Sequence, residues 1–184
     1  MWTLPNILTL MRIFVIPILV GSFYLEDLVL GSWIAVVTFG LAGITDFFDG
    51  YLARATGSVS KIGQFLDPIA DKLMVGAVII MLTSFQWVEG IHVIAAVIIL
   101  LRELLVSGLR EFLAGVQVSV PVSLAAKWKT TIQMVALGAL CGTYCLPPLG
   151  IPAYDIGIWG LWIAAVLTLY TGLDYLRAGL KHMV

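Results

Sequence analysis

Residues 32–85 read SWIAVVTFGLAGITDFFDGYLARATGSVSKIGQFLDPIADKLMVGAVIIMLTSF. Two apolar runs, Ser32 to Ala53 and Phe65 to Phe85, each have about the 20-residue length a helix needs to cross a bilayer. Gly57 and Ser58 turn the chain between them. Asp46 and Asp49 stand three apart near the end of the first run, and Asp67 and Asp71 four apart near the start of the second. Helix positions at those spacings share a face. The stretch therefore predicts two antiparallel neighbouring helices whose facing ends bring four carboxylates into one small site. Like charges gathered at a membrane edge need protons or a cation, and hard oxygen ligands select Mg²⁺, Mn²⁺ or Ca²⁺. Gly50 and Ala53 follow Asp46 by four and seven positions on the same face, leaving a ligand room to approach the backbone. Singly, such small residues mean only close helix packing, and a lone aspartate would be solvated or paired with Arg54, Lys61 or Lys72.

Outward from this pair the same pattern repeats. Of the 184 residues, 61% are hydrophobic and 11% charged, with a mean hydropathy of +1.06, too little polar surface to cover a soluble globule. Spanning-length runs extend from Pro5 to Tyr24, Ser32 to Ala53, Phe65 to Phe85, Ile91 to Phe112, Trp128 to Leu146 and Ile156 to Leu176. They predict an all-α, polytopic protein of six transmembrane helices, in a single membrane-embedded domain over residues 1–184. Each gap holds residues that stop or turn a helix: Glu26 and Asp27, Gly57 and Ser58, Glu89 and Gly90, Gly115 to Pro121, and Pro147 to Pro152. The first run is not read as a cleavable signal, because Arg12 interrupts it and no small-x-small site follows. Pro17 predicts a kink there, and Trp2 with Pro5 fits a short interfacial piece.

Charge sets the orientation. The gaps near residues 26, 89 and 150 carry Glu26, Asp27, Glu89 and Asp155 but no Lys or Arg; all ten basic residues fall toward the other ends of the runs. The positive-inside rule then puts both termini and the aspartates on the cytoplasmic side of the membrane. The net charge of −1 hides a basic inner face, suited to anionic lipid head groups or an anionic substrate, and nucleic acid is not needed to explain it. Cys141 and Cys145 lie within one run without histidine nearby, as small apolar core residues do.

The pattern D-x-x-D-G-x-x-A-R, eight residues, then G-x-x-x-D-x-x-x-D, running from Asp46 to Asp71 through Gly63, resembles the signature of the CDP-alcohol phosphatidyltransferases. That resemblance implies a six-helix membrane fold, a homodimer, and two divalent cations, Mg²⁺ or Mn²⁺, between the second and third helices. It implies Asp46, Asp49 and Asp67 as metal ligands. Asp71 would be the catalytic base, itself in reach of an ion, and Gly50, Ala53, Arg54 and Gly63 would lie against the CDP-linked lipid. Metal ions that neutralise and align a diphosphate suit phosphoryl transfer by direct displacement. His92 and His182 lie outside the aspartate cluster, leaving no obvious covalent nucleophile with its base.

The second half of the chain bears on the acceptor alcohol. Arg102, Glu103, Ser107, Arg110 and Glu111 fall toward the inner end of the fourth run, and Lys127-Trp-Lys129-Thr130-Thr131-Ile-Gln133 opens the fifth. Cations converging at one depth suit an anionic acceptor; read blandly, they are intramembrane ion pairs and topology-setting lysines. Together with Pro5-Asn6-x-x-Thr9-x-x-Arg12 and Ala165-x-Leu167-Thr168-Leu169, these residues resemble the bacterial branch of the family that uses glycerol 3-phosphate. The implied partners are CDP-diacylglycerol, glycerol 3-phosphate and membrane lipids, with Arg102, Arg110, Lys127 and Lys129 on the acceptor phosphate. Asn6 and Thr9, three apart on one face, either contact the nucleotide or serve as a helix cap and a satisfied core hydroxyl. Ala55 and Ala126 stand where the family often has a basic residue and a glycine. The alternatives are a sister enzyme acting on serine or inositol phosphate, and a divalent-cation transporter. The transporter would space its acids through the whole depth of the bundle.

Overall fold

The computed structural model describes residues 4–56, 61–115, 117 and 124–180, with side chains for all of these except 4–6, 47–56, 61, 62, 64, 65, 67 and 178–180. The described residues form helices α1 (Leu4–Ser22), α2 (Leu28–Thr56), α3 (Lys61–Ser84), α4 (His92–Gly115), α5 (Leu124–Cys141) and α6 (Ala153–Leu180), with a 3₁₀ turn at Pro147–Leu149 before α6. No strand occurs among them.

Local chemistry explains where these helices start and stop. Oδ1 of Asp27 accepts the amides of Val29 at 3.0 Å and Leu30 at 3.1 Å, satisfying donors that the first turn of α2 leaves open. The α5–α6 connection closes at Gly150, whose φ of 78° suits a residue without Cβ. Pro17 and Pro68 both lie inside helices; Pro68 removes one backbone donor directly after Asp67.

The surface is apolar and the interior holds charge. Phe14, Ile80, Leu101, Trp159 and Val166 are exposed, whereas Arg12, Lys129, Gln133, Thr168 and Thr171 are buried. A water-soluble protein sorts these residue types the other way, and an apolar exterior of this extent fits a lipid environment. Among the described residues, Leu28–Asp46, His92–Gly115 and Ala153–Arg177 are long and apolar enough to cross a membrane, and Ile7–Ser22 is apolar but shorter. The expected runs of α3 and α5 exist as helices, but the first halves of these helices carry Asp67, Asp71 and Lys72, or Lys127 and Lys129. Helix α5 also ends at Cys141, short of the expected Leu146.

Helices α5 and α6 pack closely through glycine. A Cβ on Gly157 would lie 2.5 Å from Leu140 Cγ, and one on Gly160 would lie 2.8 Å from Ala136 Cβ. Contact this tight is how helices associate where lipid removes the hydrophobic drive. Ser32 Oγ donates to the carbonyl of Cys141 at 2.6 Å, fixing the start of α2 on the end of α5.

The expected meeting of α2 and α3 at their acidic ends falls largely on residues 47–67, most of whose side chains lie outside the described residues. Among the described residues, α2 and α3 do not pack along each other; α1 packs on both. Helix α1 supplies the buried Arg12 that pairs with Asp46 near the acidic end of α2. Cys141 and Cys145 are free and buried, as expected of core residues.

Candidate active site

Five helices converge at the charged end of the bundle. Arg12 on α1 is buried, and its Nη1 lies 2.8 Å from Oδ1 of Asp46 on α2, whose side chain is half-exposed. Asp71 on α3 is half-buried, with Asp46, Glu103, Arg12 and Lys129 within electrostatic reach. Residues from α1, α2, α3, α4 and α5 thus surround one carboxylate. The sequence reading of Arg12 as a charge interrupting an apolar run missed this role. Its signal was present, since Asn6, Thr9 and Arg12 recur every three positions and so follow one face of α1.

Two of the four expected metal ligands, Asp46 and Asp71, are therefore near each other. The side chains of Asp49 and Asp67 lie outside the described residues, as do those of Asn6, Gly50, Ala53 and Arg54. Among the described residues no three histidine, cysteine, aspartate or glutamate side chains group as a metal site. The donors present are carboxylate oxygens. The thiols of Cys141 and Cys145 are buried at the far end of α5, and His92 Nδ1 accepts the Trp162 indole N–H at 3.0 Å. This donor chemistry fits Mg²⁺ or Mn²⁺ and gives zinc or copper no soft ligand. Gly63 and Thr9 are both buried, within the helices that meet here.

Beside Asp71, a cavity of about 400 Å³ opens between α3 and α4, with Lys72, Arg102, Glu103, Ser107, Arg110 and Glu111 as its polar wall. The α4 members recur at three- and four-residue intervals, so one helix face delivers them. Each cation is held by a neighbour. Lys72 Nζ donates to Ser107 Oγ, Arg102 Nη2 donates to Thr171 Oγ1 at 2.9 Å, and Arg110 Nη2 donates to the Tyr175 hydroxyl at 3.3 Å. The Arg110 guanidinium also lies 5.5 Å from the centre of the Tyr175 ring, in range of a cation–π attraction. Gly172 makes space for Arg102, since a Cβ there would come within 3.2 Å of Arg102 Cγ. Helix α6 thus positions both arginines.

The two expected lysines of α5 separate. Lys129 is buried and donates to Glu103, whereas Lys127 is exposed and not part of the cavity wall among the described residues. Positions two apart on a helix face different directions, so one cavity cannot take both. Lys72, Thr171 and Tyr175 were not anticipated as parts of this site. Lys72 had a legible signal in its place directly after Asp71, whereas the two hydroxyls of α6 depend on packing between helices distant in sequence.

Comparison with known proteins bears on this arrangement. Residues 2–170 match the family model described as CDP-alcohol phosphatidyltransferase. A protein of Rickettsia felis named CDP-diacylglycerol–glycerol-3-phosphate 3-phosphatidyltransferase is 48% identical, the match covering 97% of this chain and 96% of that one. A protein of the same name from Rickettsia bellii is 49% identical over the same shares, 97% and 96%. Another so named, from Haemophilus influenzae, is 39% identical across 96% of this chain and 92% of its own.

Proposed function

Because the chain belongs to the CDP-alcohol phosphatidyltransferase family, we propose that it transfers the phosphatidyl group of CDP-diacylglycerol to glycerol 3-phosphate, giving phosphatidylglycerophosphate and CMP. The observation that carries the choice of acceptor is the cavity beside Asp71, whose wall holds Lys72, Arg102 and Arg110. Serine or another acceptor without a phosphate gives no reason to collect three cations in the wall of one cavity of an apolar bundle. Relatives that bear the name of this reaction match over nearly their whole length.

In this reading Asp46, Asp49, Asp67 and Asp71 hold two divalent cations, Mg²⁺ or Mn²⁺, which when bound neutralise the diphosphate and polarise its phosphorus. The chain's own groups do the rest. Arg12 fixes Asp46 and offsets part of the acidic charge when ligands are absent. Asp71 accepts the proton of the acceptor hydroxyl, whose oxygen bonds to the lipid-bearing phosphorus as the bond to CMP breaks. Arg54 binds phosphate of the nucleotide lipid, with Asn6, Thr9, Gly50, Ala53 and Gly63 shaping that side. Arg102, Arg110 and Lys129 serve the acceptor phosphate with Lys72, and exposed Lys127 meets anionic head groups. The single domain spans the inner membrane six times, works as a homodimer, and keeps the site and both termini in the cytoplasm.

Purified protein given CDP-diacylglycerol, Mg²⁺ and one alcohol at a time tests the assignment. Glycerol 3-phosphate should release CMP; serine and inositol phosphate should not, and EDTA should stop the reaction until Mg²⁺ or Mn²⁺ is restored. Release with serine and none with glycerol 3-phosphate would remove the proposed acceptor.

A further inference from the structure

Lys129 is a buried cation, its side chain 4% exposed, and its ammonium donates to Oε1 of Glu103. The same oxygen lies 3.8 Å from Arg102 Nη1. Glu103 lines the cavity between α3 and α4, whereas Lys129 does not belong to that wall among the described residues. A solute entering the cavity therefore meets the carboxylate first, with the ammonium behind it. The wall's other carboxylate, Glu111, is exposed, so its charge is better screened by water.

Leaving an ammonium buried without a counter-charge is strongly unfavourable, which gives Glu103 a role while the cavity holds only water. The same carboxylate repels an incoming phosphate and occupies the donors that phosphate needs. Arg102 keeps a second anchor through Nη2 on Thr171, so it stays in place if Glu103 leaves. The long, flexible stem of Lys129 lets its ammonium turn toward a new anion.

We propose that Glu103 is a positioning residue that stands in for the acceptor's phosphate in the empty protein, holding Lys129 and Arg102 on its carboxylate until a phosphate displaces it. The inference rests on the acceptor reading above and adds a source of selectivity. An uncharged alcohol cannot compete with the carboxylate, so Lys129 stays masked; a phosphate-bearing alcohol exposes its own binding group.

Binding of inorganic phosphate to full-length protein, measured by calorimetry, tests this without turnover. Glu103→Gln keeps the size and a hydrogen-bond acceptor but removes the charge, and should bind phosphate about three- to tenfold more tightly. KM for glycerol 3-phosphate should fall in parallel, with the KM for CDP-diacylglycerol changing less. Glu103→Asp, whose shorter arm holds Lys129 less well, should bind phosphate more tightly than wild type, by a smaller factor than the Gln variant, and it remains informative if the Gln variant does not fold. Unchanged or weaker phosphate binding in either variant would overturn the proposal. Failure of the wild type to use glycerol 3-phosphate would instead overturn the acceptor assignment, because the phosphate measurement does not depend on that reaction.

Discussion

Asp71 and Asp46 differ in how deeply the fold places them, and the difference agrees with the separate tasks proposed for them. Asp46 is half-exposed and already bound to Arg12, a position suited to a ligand that trades a protein cation for a metal. Asp71 lies deeper, beside the cationic cavity and within reach of Glu103 and Lys129, where an acceptor hydroxyl would enter. Asp71→Asn preserves shape and removes the base. Turnover, followed as CMP release, should fall by about 10²- to 10⁴-fold, the range that general-base catalysis contributes. Binding of the nucleotide lipid should persist, because Asp46, Asp49 and Asp67 remain. Near-wild-type turnover would show that another group takes the proton. Parallel loss of turnover and nucleotide-lipid binding would make Asp71 chiefly a metal ligand.

At the scale of helices, what could be read in advance followed local periodicity, and what could not depended on packing between distant segments. The polar α4 residues Glu103, Ser107, Arg110 and Glu111 share one face through three- and four-residue spacing, which is visible in the sequence. The separation of Lys127 from Lys129 was legible by the same geometry, since residues two apart cannot face one cavity. The placement of α1 against both α2 and α3 was not. A short connecting loop suggests direct neighbours, and only the Arg12–Asp46 pair reveals why α1 lies there. The hydroxyls of Thr171 and Tyr175 were hidden for a similar reason: they act on arginines more than sixty residues away in sequence, 69 and 65 positions respectively. The α5–α6 contact has a test of its own. Gly157→Val places branched carbons where a Cβ alone would come 2.5 Å from Leu140 Cγ, and overpacking of this kind costs about 1–3 kcal/mol. The variant should melt at a lower temperature in detergent, and Leu140→Ala in the same chain should recover part of the loss. An unchanged melting temperature would mean that α5 and α6 do not approach this closely.

Across the described residues, the paired and buried charges lie toward one end of the bundle and an aromatic cluster lies at the other. Phe23, Trp87 and Tyr144 form a ring contact at the ends of α1, α3 and α5, with centroid distances of 4.7 Å between Phe23 and Trp87 and 4.9 Å between Trp87 and Tyr144. Arg12, Asp46, Asp71, Glu103 and Lys129 meet toward the other end. A bundle polarised this way keeps its costly groups near one membrane face, where water and a soluble phosphate can reach them. It also makes the proposed six-span topology open to a direct test, because native Cys141 and Cys145 are buried and should not react with a bulky membrane-impermeant maleimide. Single cysteines introduced as Glu26→Cys or Glu89→Cys should be labelled from outside the inner membrane. Ser58→Cys should react only after the membrane is permeabilised, because the proposed topology puts the sequence between Asp49 and Asp67 on the cytoplasmic side. Labelling of Ser58→Cys from outside, with Glu26→Cys protected, would invert the protein and place the aspartates on the wrong side for a cytoplasmic phosphate-bearing substrate.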